Sequence, residues 1–294
     1  MVAFYLQHRN LRVQSLMRFK KIYVEITNVC NFSCSFCFKS FRDKRFVSPE
    51  NFSATLVRIR PYTDYIYLHV LGEPLLHPKI ELLLEIAHKQ GFKVNLTTNG
   101  SLLRSKRRIL ELGHIRQYNI SLHDAAENVK QENLGSYIDD VLDFAAQESE
   151  KSYFSLRLWN KGAEDVAMFN RFCLNKINDF FSIDITEQNL LESRNIKLAP
   201  HIFLQNAARF SWPGEKELNI TSRGCYALKD HIAILSDGTV VPCCLDADAS
   251  IPLGNILTEN LDDILKKERA VKMLNGFRNK VVTEDICRDC GFVI

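Results

Sequence analysis

Alternating apolar and polar residues recur as short runs along the first two thirds of the chain, and segments with helical spacing of apolar residues separate them. The runs predict strands over residues 21–27, 65–70, 92–97, 118–123 and 153–159, with a weaker one near 181–186. The intervening segments predict helices after Ser48-Pro49-Glu50 and over residues 79–90, 103–112, 136–149 and 164–178. Strands separated by helices form right-handed βαβ units, so we expect an α/β fold whose parallel sheet forms an open or closed barrel.

Side chains alternate between the two faces of a strand, and the predicted strands are aliphatic on one face only. We expect that face to pack beneath the helices. A closed eight-stranded barrel fills its interior with branched aliphatic residues, whereas a polar inner face indicates a lumen that holds a ligand. The alternative is that some of the polar faces are solvated. The polar or aromatic positions are Tyr23, Glu25, Thr27, Tyr67, His69, Asn95, Thr97, Asn119, Ser121, His123, Ser155, Arg157 and Trp159.

The pattern changes near residue 205. Two short apolar runs flank Ser236-Asp237-Gly238, which predicts a β-hairpin, and a helix is expected near residues 260–274. We therefore expect two domains, residues 1–205 and residues 206–294, with the second built from the hairpin and the helix.

Composition narrows the functional classes. Apolar residues make up 46% of the chain and charged residues 25%, which is typical of an ordinary globular protein. The net charge of +3 is too small to indicate a nucleic-acid or anionic-membrane surface. No apolar run approaches the roughly 20 residues that span a bilayer, and the first residues lack the features of a signal peptide. We therefore expect a cytoplasmic protein that binds neither nucleic acid nor membrane.

Nine cysteines are the most informative part of the composition. An odd number without an export signal argues against disulfides and favours metal ligation or catalysis. Cys30, Cys34 and Cys37 have a CxxxCxxC spacing just after the first predicted strand. Three thiolates on one loop can bind three irons of a four-iron cluster, which leaves one iron free to chelate a small molecule through an amine and a carboxylate. The alternatives are a zinc site with a remote fourth ligand or three unrelated thiols.

This cysteine spacing, with an aromatic residue at Phe36, resembles the signature of the radical S-adenosylmethionine (radical SAM) superfamily. The resemblance implies a partial (β/α)6 TIM-like barrel that binds a 4Fe–4S cluster and S-adenosylmethionine (AdoMet). It also implies the reaction. A reduced cluster passes an electron to AdoMet, which breaks into methionine and a 5′-deoxyadenosyl radical, and this radical removes a hydrogen atom from a substrate in the lumen.

The same resemblance implies which residues hold AdoMet. Residues 72–74 match the motif whose backbone and carboxylate meet the methionine amino group, although a Gly-Glu-Pro turn is common. Ser121 ends the fourth strand, where the ribose is often contacted. Arg157 lies where related enzymes hold the AdoMet carboxylate, and a buried Arg is costly without an anion. The implied AdoMet-binding residues are Phe36, Gly72, Glu73, Pro74, Asn99, Ser121 and Arg157.

The C-terminal cysteines resemble those of the SPASM and twitch extensions of this superfamily. A SPASM domain binds two auxiliary clusters and the shorter twitch domain binds one. Because the series here closes with a single CxxC, we expect the twitch form and two 4Fe–4S clusters in all. Zinc is the alternative, since a four-thiolate zinc site uses the same spacing. Cys244 could replace Cys243 as a ligand, and Cys173 is expected in the core. The expected ligands are Cys225, Cys243, Cys287 and Cys290.

Two histidines are candidate catalytic bases. Strand alternation aims His69 and His123 at the lumen. A structural hydrogen-bonding role is the alternative for each.

These features predict an oxidoreductase that dehydrogenates a small molecule with the help of the auxiliary cluster, similar to twitch enzymes that oxidise a secondary alcohol of an aminocyclitol. The chain also resembles the peptide- and protein-modifying SPASM enzymes, but only about 20 residues precede the first strand, so we expect no N-terminal peptide-binding domain. The resemblance implies a flavodoxin or ferredoxin as electron donor. A glycyl-radical activase is disfavoured because no cysteine lies between Cys37 and Cys173. A non-catalytic zinc-binding interaction protein is the alternative from another class.

Overall fold

The computed structural model describes residues 18–161 and 166–292. The strands are β1 (Lys21–Val24), β2 (Tyr65–Tyr67), β3 (Lys93–Thr98), β4 (Ile115–Ser121), β5 (Tyr153–Lys161), β6 (Asn195–Ala199), β7 (Ile202–Ala208), β8 (His231–Ile234), β9 (Thr239–Val241) and β10 (Gly254–Asn255). The helices are α1 (Pro49–Ile59), α2 (Ile80–Lys89), α3 (Leu103–Leu110), α4 (Ala125–Asn128), α5 (Gln131–Glu148), α6 (Ala167–Phe181), α7 (Glu187–Glu192), α8 (Leu261–Lys266), α9 (Glu268–Arg278) and α10 (Asp285–Arg288). Within these ranges, no helix is both long enough and apolar enough to pass through a bilayer.

All ten strands belong to one sheet, in the order β10-β9-β8-β1-β2-β3-β4-β5-β7-β6. The strands from β8 to β7 in this order run parallel. At the two ends of the sheet, β6 pairs antiparallel with β7, and β9 pairs antiparallel with β8 and β10. The predicted α/β class and partial barrel are confirmed. The six barrel strands are β1 to β5 and β7. The barrel is open because the two edge strands of the sheet do not pair with each other.

The prediction of a weak strand near residues 181–186 is wrong. Helix α6 continues to Phe181 and ends at Ser182, which has a left-handed backbone. The Thr186 side chain then caps α7 by accepting a hydrogen bond from the backbone N–H of Asn189. This capping box stabilises a helix start at the point where a strand was expected. The sixth barrel strand is β7, which follows the antiparallel β6.

The expected domain boundary falls inside β7. The predicted hairpin is present as β8 and β9, but β8 also pairs in parallel with β1, from Lys21 opposite His231 to Val24 opposite Ile234. The C-terminal segment therefore extends the barrel sheet. The division into two domains, residues 1–205 and residues 206–294, therefore stays a prediction.

The aliphatic face of the sheet forms the core beneath the helices. Ile22, Ile66 and Leu156 are completely buried there, together with Phe52 and Leu56 of α1. This apolar burial supplies the main favourable free energy of the barrel. It leaves the opposite face of the strands, which is polar, to line the interior.

One buried carboxylate links the segments around the top of β1. Glu25 is 1% exposed, and its two oxygens accept hydrogen bonds from both terminal nitrogens of Arg42 at 2.7 and 2.8 Å. The same oxygens accept from the backbone N–H groups of Leu71 at 3.2 Å and Ser236 at 3.1 Å. Four chain segments that are distant in sequence therefore meet at one side chain.

The substitution Glu25→Gln tests this junction. The amide keeps the shape but removes the charge opposite Arg42, so we expect the free energy of unfolding to fall by at least about 2 kcal/mol. Urea denaturation followed by circular dichroism measures the change. Glu85→Gln is the control, because Glu85 forms an exposed pair with Lys89 and should cost less than about 0.5 kcal/mol. Equal losses in the two variants would contradict the assignment.

Candidate active site in the barrel lumen

The polar strand faces surround a cavity of about 800 Å³, which confirms the predicted lumen. Glu25, Thr27, Asn95 and Ser155 share the polar face but are buried away from the cavity. Of the positions predicted to be polar or aromatic, those that line the cavity are Tyr23, Tyr67, His69, Thr97, Asn119, Ser121, His123, Arg157 and Trp159.

The first three cysteines lie on the loop that follows β1, and α4 holds this loop in place. The Glu127 carboxylate accepts hydrogen bonds from the backbone N–H of Ser35 at 2.6 Å and from its hydroxyl at 2.7 Å. Asn128 accepts from the backbone N–H of Ser33 at 2.7 Å and donates to the Cys34 sulfur at 3.2 Å. All three cysteines are free thiols. No local sequence pattern predicts the Glu127 and Asn128 contacts, because α4 is far from the loop along the chain.

Gly72 presses against the backbone that leads into the cysteine loop. Its φ is +77°, and a Cβ atom there would lie 2.6 Å from the carbonyl oxygen of Thr27. The next residue, Glu73, donates its backbone N–H to the carbonyl of Val29 at 2.8 Å. Only glycine fits this position, so it fixes the turn after β2 against the end of β1.

The Glu73 side chain is buried between the ends of β2 and β3. Its carboxylate accepts hydrogen bonds from the Thr98 hydroxyl at 2.9 Å and from the backbone N–H of Asn99 at 2.7 Å and of Leu75 at 3.0 Å. Burial raises the pKa of Glu73 to about 7. Gly72, Glu73 and Pro74 are not on the cavity lining, and Pro74 begins a short 3₁₀ turn. Their implied contact with AdoMet stays a prediction.

Asn99 connects the end of β3 to the cysteine loop. Its amide nitrogen donates to the side-chain oxygen of Asn31 at 3.0 Å and lies 4.0 Å from the Cys30 sulfur. The structure thus places Asn99 beside the first predicted ligand.

Ser121, His123 and Arg157 come together where β4 and β5 end. Ser121 pairs with Arg157 in the sheet, and the His123 Nδ1 atom lies 3.0 Å from the Arg157 carbonyl oxygen. The strand expected to reach His123 ends at Ser121, because residues 122–124 form a 3₁₀ turn. The Phe36 ring lies 5.5 Å from the imidazole of His123. Four predicted residues therefore line one part of the cavity.

The Arg157 guanidinium lines the cavity and forms no ion pair among the residues that the structure describes, although the more distant Asp124 carboxylate acts on it electrostatically. Its Cζ atom lies 4.5 Å from the centre of the Trp159 ring, and its Nε has no hydrogen-bond partner. Burial lowers the pKa of Arg157 to about 10. Such a buried cation is costly unless an anionic ligand compensates it.

The two candidate bases differ in their contacts. His123 is bound at Nδ1 by the Arg157 carbonyl, and its Nε2 lies 3.2 Å from an oxygen of Asp124. The Nδ1 atom of His69 is buried without a partner, and the ring faces Tyr23 edge-on. Burial lowers the pKa of His123 to about 4 and that of His69 to about 3. Both imidazoles are therefore neutral at pH 7.

The four expected C-terminal ligands line the same cavity as Arg157. Cys225, Cys243 and Cys287 pack against one edge of the main hydrophobic core, and the Cys290 thiol interacts electrostatically with those of Cys225 and Cys287. The carbonyl of Cys290 accepts a hydrogen bond from Arg223 at 2.6 Å, which holds the final CxxC beside the segment that leads to Cys225.

The structure distinguishes the adjacent cysteines that the sequence left open. Cys243 packs against the main hydrophobic core together with Cys225 and Cys287. Cys244 packs with a separate apolar cluster that includes Val70, and its thiol hydrogen-bonds with the Tyr23 hydroxyl, although the Cys290 thiol also acts on it electrostatically. This arrangement favours Cys243 as the ligand.

An all-cysteine set at both sites is the donor chemistry that iron–sulfur clusters use. Across residues 18–161 and 166–292, no three His, Cys, Asp or Glu side chains converge on a point that could hold a single metal ion. Cys173 is completely buried in α6 and belongs to the core, as expected.

Comparison with known proteins agrees with these features. Residues 24–153 match the model of the radical SAM superfamily, and residues 225–291 match the model of an iron–sulfur cluster-binding domain called SPASM. An S-adenosylmethionine-dependent nucleotide dehydratase from Thermoplasmatales archaeon (strain ISO4-H5) is 28% identical over 94 residues, which are 32% of this chain and 34% of that protein. The chain thus matches only about a third of the length of this curated relative.

Solved structures match over nearly the whole chain. BtrN in complex with AdoMet and 2-DOIA has a TM-score of 0.59 at 16% identity, over 94% of both chains. Streptococcus suis SuiB bound to its precursor peptide SuiA has a TM-score of 0.58 at 18% identity, over 94% of this chain and 70% of that one. At these identities the likeness shows a shared fold.

The substitution Gly72→Ala tests the turn that supports the cysteine loop. The added Cβ meets backbone atoms at 2.6 to 2.9 Å, so we expect the free energy of unfolding to fall by roughly 2 kcal/mol or more. Urea denaturation measures it. Gly113→Ala is the matched control, because Gly113 has a φ of +73° and nothing within 4 Å of its Cβ position. It should show only the backbone cost of about 1 kcal/mol, and a loss as large as that of Gly72→Ala would refute the steric explanation.

Proposed function

The chain belongs to the radical SAM superfamily and has an iron–sulfur cluster-binding domain of the SPASM type, and from this premise we propose that it dehydrogenates a small molecule held in the barrel lumen. When bound, the N-terminal 4Fe–4S cluster supplies the electron that splits AdoMet into methionine and the 5′-deoxyadenosyl radical, which removes hydrogen from the substrate. The chain's own residues would hold the cluster, AdoMet and the substrate in position and exclude water.

One observation supports the proposal above the others. A single cavity is lined both by Cys37 and Arg157 and by Cys243, Cys287 and Cys290. A substrate in that cavity would lie between the two cysteine groups. An auxiliary cluster at the second group would then be placed to accept an electron from the substrate, which a dehydrogenation requires.

The first three cysteines would bind the cluster that activates AdoMet. Cys30, Cys34 and Cys37 are free thiols on one loop, and three protein ligands leave one iron for AdoMet. Contacts from α4 and from Asn99 hold this loop at the ends of the barrel strands. Barrel enzymes commonly keep their active sites at this end.

The AdoMet site would use the cavity wall formed by β4 and β5. Arg157 forms no ion pair among the described residues and would bind the carboxylate of AdoMet. Ser121 lines the cavity beside it and would contact the ribose, and Phe36 would border the site. The Glu73 carboxylate already accepts three hydrogen bonds, but its Oε2 accepts only one of them and can accept another from the methionine amino group.

The size of the cavity favours a small-molecule substrate. Sites of roughly 300–1,000 Å³ hold one drug-sized ligand, and here about 800 Å³ would be shared by AdoMet and the substrate. A peptide is the second candidate, because SuiB was crystallised with its precursor peptide. His69 would accept the substrate proton, since its Nδ1 is unpartnered. His123 already contacts the Arg157 carbonyl and Asp124, so a positioning role suits it better. A flavodoxin or ferredoxin would supply electrons in the cytoplasm.

Iron and sulfide content after anaerobic reconstitution tests the two-cluster assignment. The wild-type chain should bind roughly eight irons, and the Cys30/Cys34/Cys37→Ala variant should bind about four. Cys243→Ala should lose the auxiliary cluster, whereas the matched Cys244→Ala variant should keep both clusters. About four irons in the wild type and none in the triple variant would leave only the N-terminal cluster and point to C-terminal zinc. No iron in the wild type would favour the zinc-binding interaction protein.

A further inference from the structure

Lys21 is a cation inside the lumen that the proposed reaction does not use. It begins β1, and its side chain lines the cavity. Its Nζ atom lies 5.1 Å from the centre of the Tyr23 ring and 4.9 Å from that of the Tyr67 ring. Two aromatic faces therefore hold the ammonium group in one position.

No carboxylate within the described part of the chain forms an ion pair with Lys21. The nearby Asp230 forms its ion pair with the neighbouring Lys20, whose Nζ lies 2.7 Å from its Oδ2, and it acts on Lys21 only through its more distant charge. Burial lowers the pKa of Lys21, and the positive charge of Arg157 lowers it further, although the Cys244 thiol opposes this. Lys21 and Arg157 therefore repel each other within the lumen.

Two buried polar atoms on the same lining also lack partners. They are the Nδ1 of His69 and the Nε of Arg157. Buried polar groups in native proteins are normally hydrogen-bonded, so orphaned atoms at a cavity wall indicate a ligand. The remaining acids of the lining are occupied elsewhere. Asp124 contacts His123, and Asp246 accepts from backbone N–H groups at 2.7 and 2.9 Å.

We propose that the substrate is anionic and that Lys21, held between Tyr23 and Tyr67, binds its phosphate or carboxylate group. This inference rests on the proposed function, in which Arg157 binds the single carboxylate of AdoMet. Lys21, which forms no ion pair within the described part of the chain, is then available to the substrate. An ammonium group donates charge-assisted hydrogen bonds to either anion, which offset the cost of keeping it in the lumen.

Anion binding to the reconstituted, AdoMet-loaded protein tests the proposal. Inorganic phosphate and acetate are titrated separately by isothermal calorimetry into the wild type and into Lys21→Met, Lys21→Arg and Lys89→Met. We expect one of the two anions to bind the wild type, to bind Lys21→Met roughly tenfold or more weakly, and to be retained by Lys21→Arg. Lys89→Met is the control, because Lys89 is an exposed lysine that does not line the cavity, and it should bind like the wild type.

The anion that binds identifies the substrate group: phosphate indicates a phosphorylated substrate and acetate a carboxylic acid. Failure of both anions to bind the wild type would overturn the proposal, whatever the variants do. Equal binding by the wild type and a folded Lys21→Met would also overturn it. Formation of 5′-deoxyadenosine by the wild-type preparation is measured separately, so that a failure of the radical chemistry is distinguished from a failure of anion binding.

Discussion

The buried carboxylate of Glu25 is the contact on which the geometry of the lumen depends. It follows β1 and joins Arg42, which comes after the first cysteines, to Leu71 before the glycine turn and to Ser236 in the hairpin. These segments hold the N-terminal cysteines, the end of β2 and the strand that precedes Cys243. An apolar side chain at position 25 would leave two backbone N–H groups without partners and the Arg42 guanidinium without a counter-charge in the interior, at a cost of several kcal/mol.

The parallel pairing of β8 with β1 carries this arrangement into the C-terminal segment. Because β8 extends the barrel sheet, the hairpin cysteine and the final CxxC lie on the wall of the same cavity as Arg157. The polar interior then has a physical reason. The strands bury their aliphatic residues beneath the helices. Within the lumen, Lys21 lacks an ion pair among the residues that the structure describes, and the Arg157 Nε and His69 Nδ1 atoms lack hydrogen-bond partners. Buried charges of this kind reduce stability and are typical of sites that bind a ligand.

Local patterns predicted most of this architecture. The CxxxCxxC spacing lies within eight residues, and strand alternation gave the lumen, since both depend only on neighbours in sequence. Such local patterns do not predict the antiparallel β6 or the pairing of β8 with β1, because these pairings join residues far apart in the chain. The first strand was expected to reach residue 27 but ends at Val24, since the side chains of Glu25 and Thr27 bind backbone groups of other segments. The anchoring of the cysteine loop by Glu127 and Asn128 was missed for the same reason.

Formation of 5′-deoxyadenosine decides whether the lumen supports radical AdoMet chemistry. The reconstituted protein is incubated anaerobically with AdoMet and a chemical reductant, and the product is measured by mass spectrometry. We expect the wild-type chain to produce 5′-deoxyadenosine and the Cys30/Cys34/Cys37→Ala variant to produce none. No product from a wild-type preparation with its full iron content, or equal product from the variant, would contradict the assignment of the lumen as a radical AdoMet site.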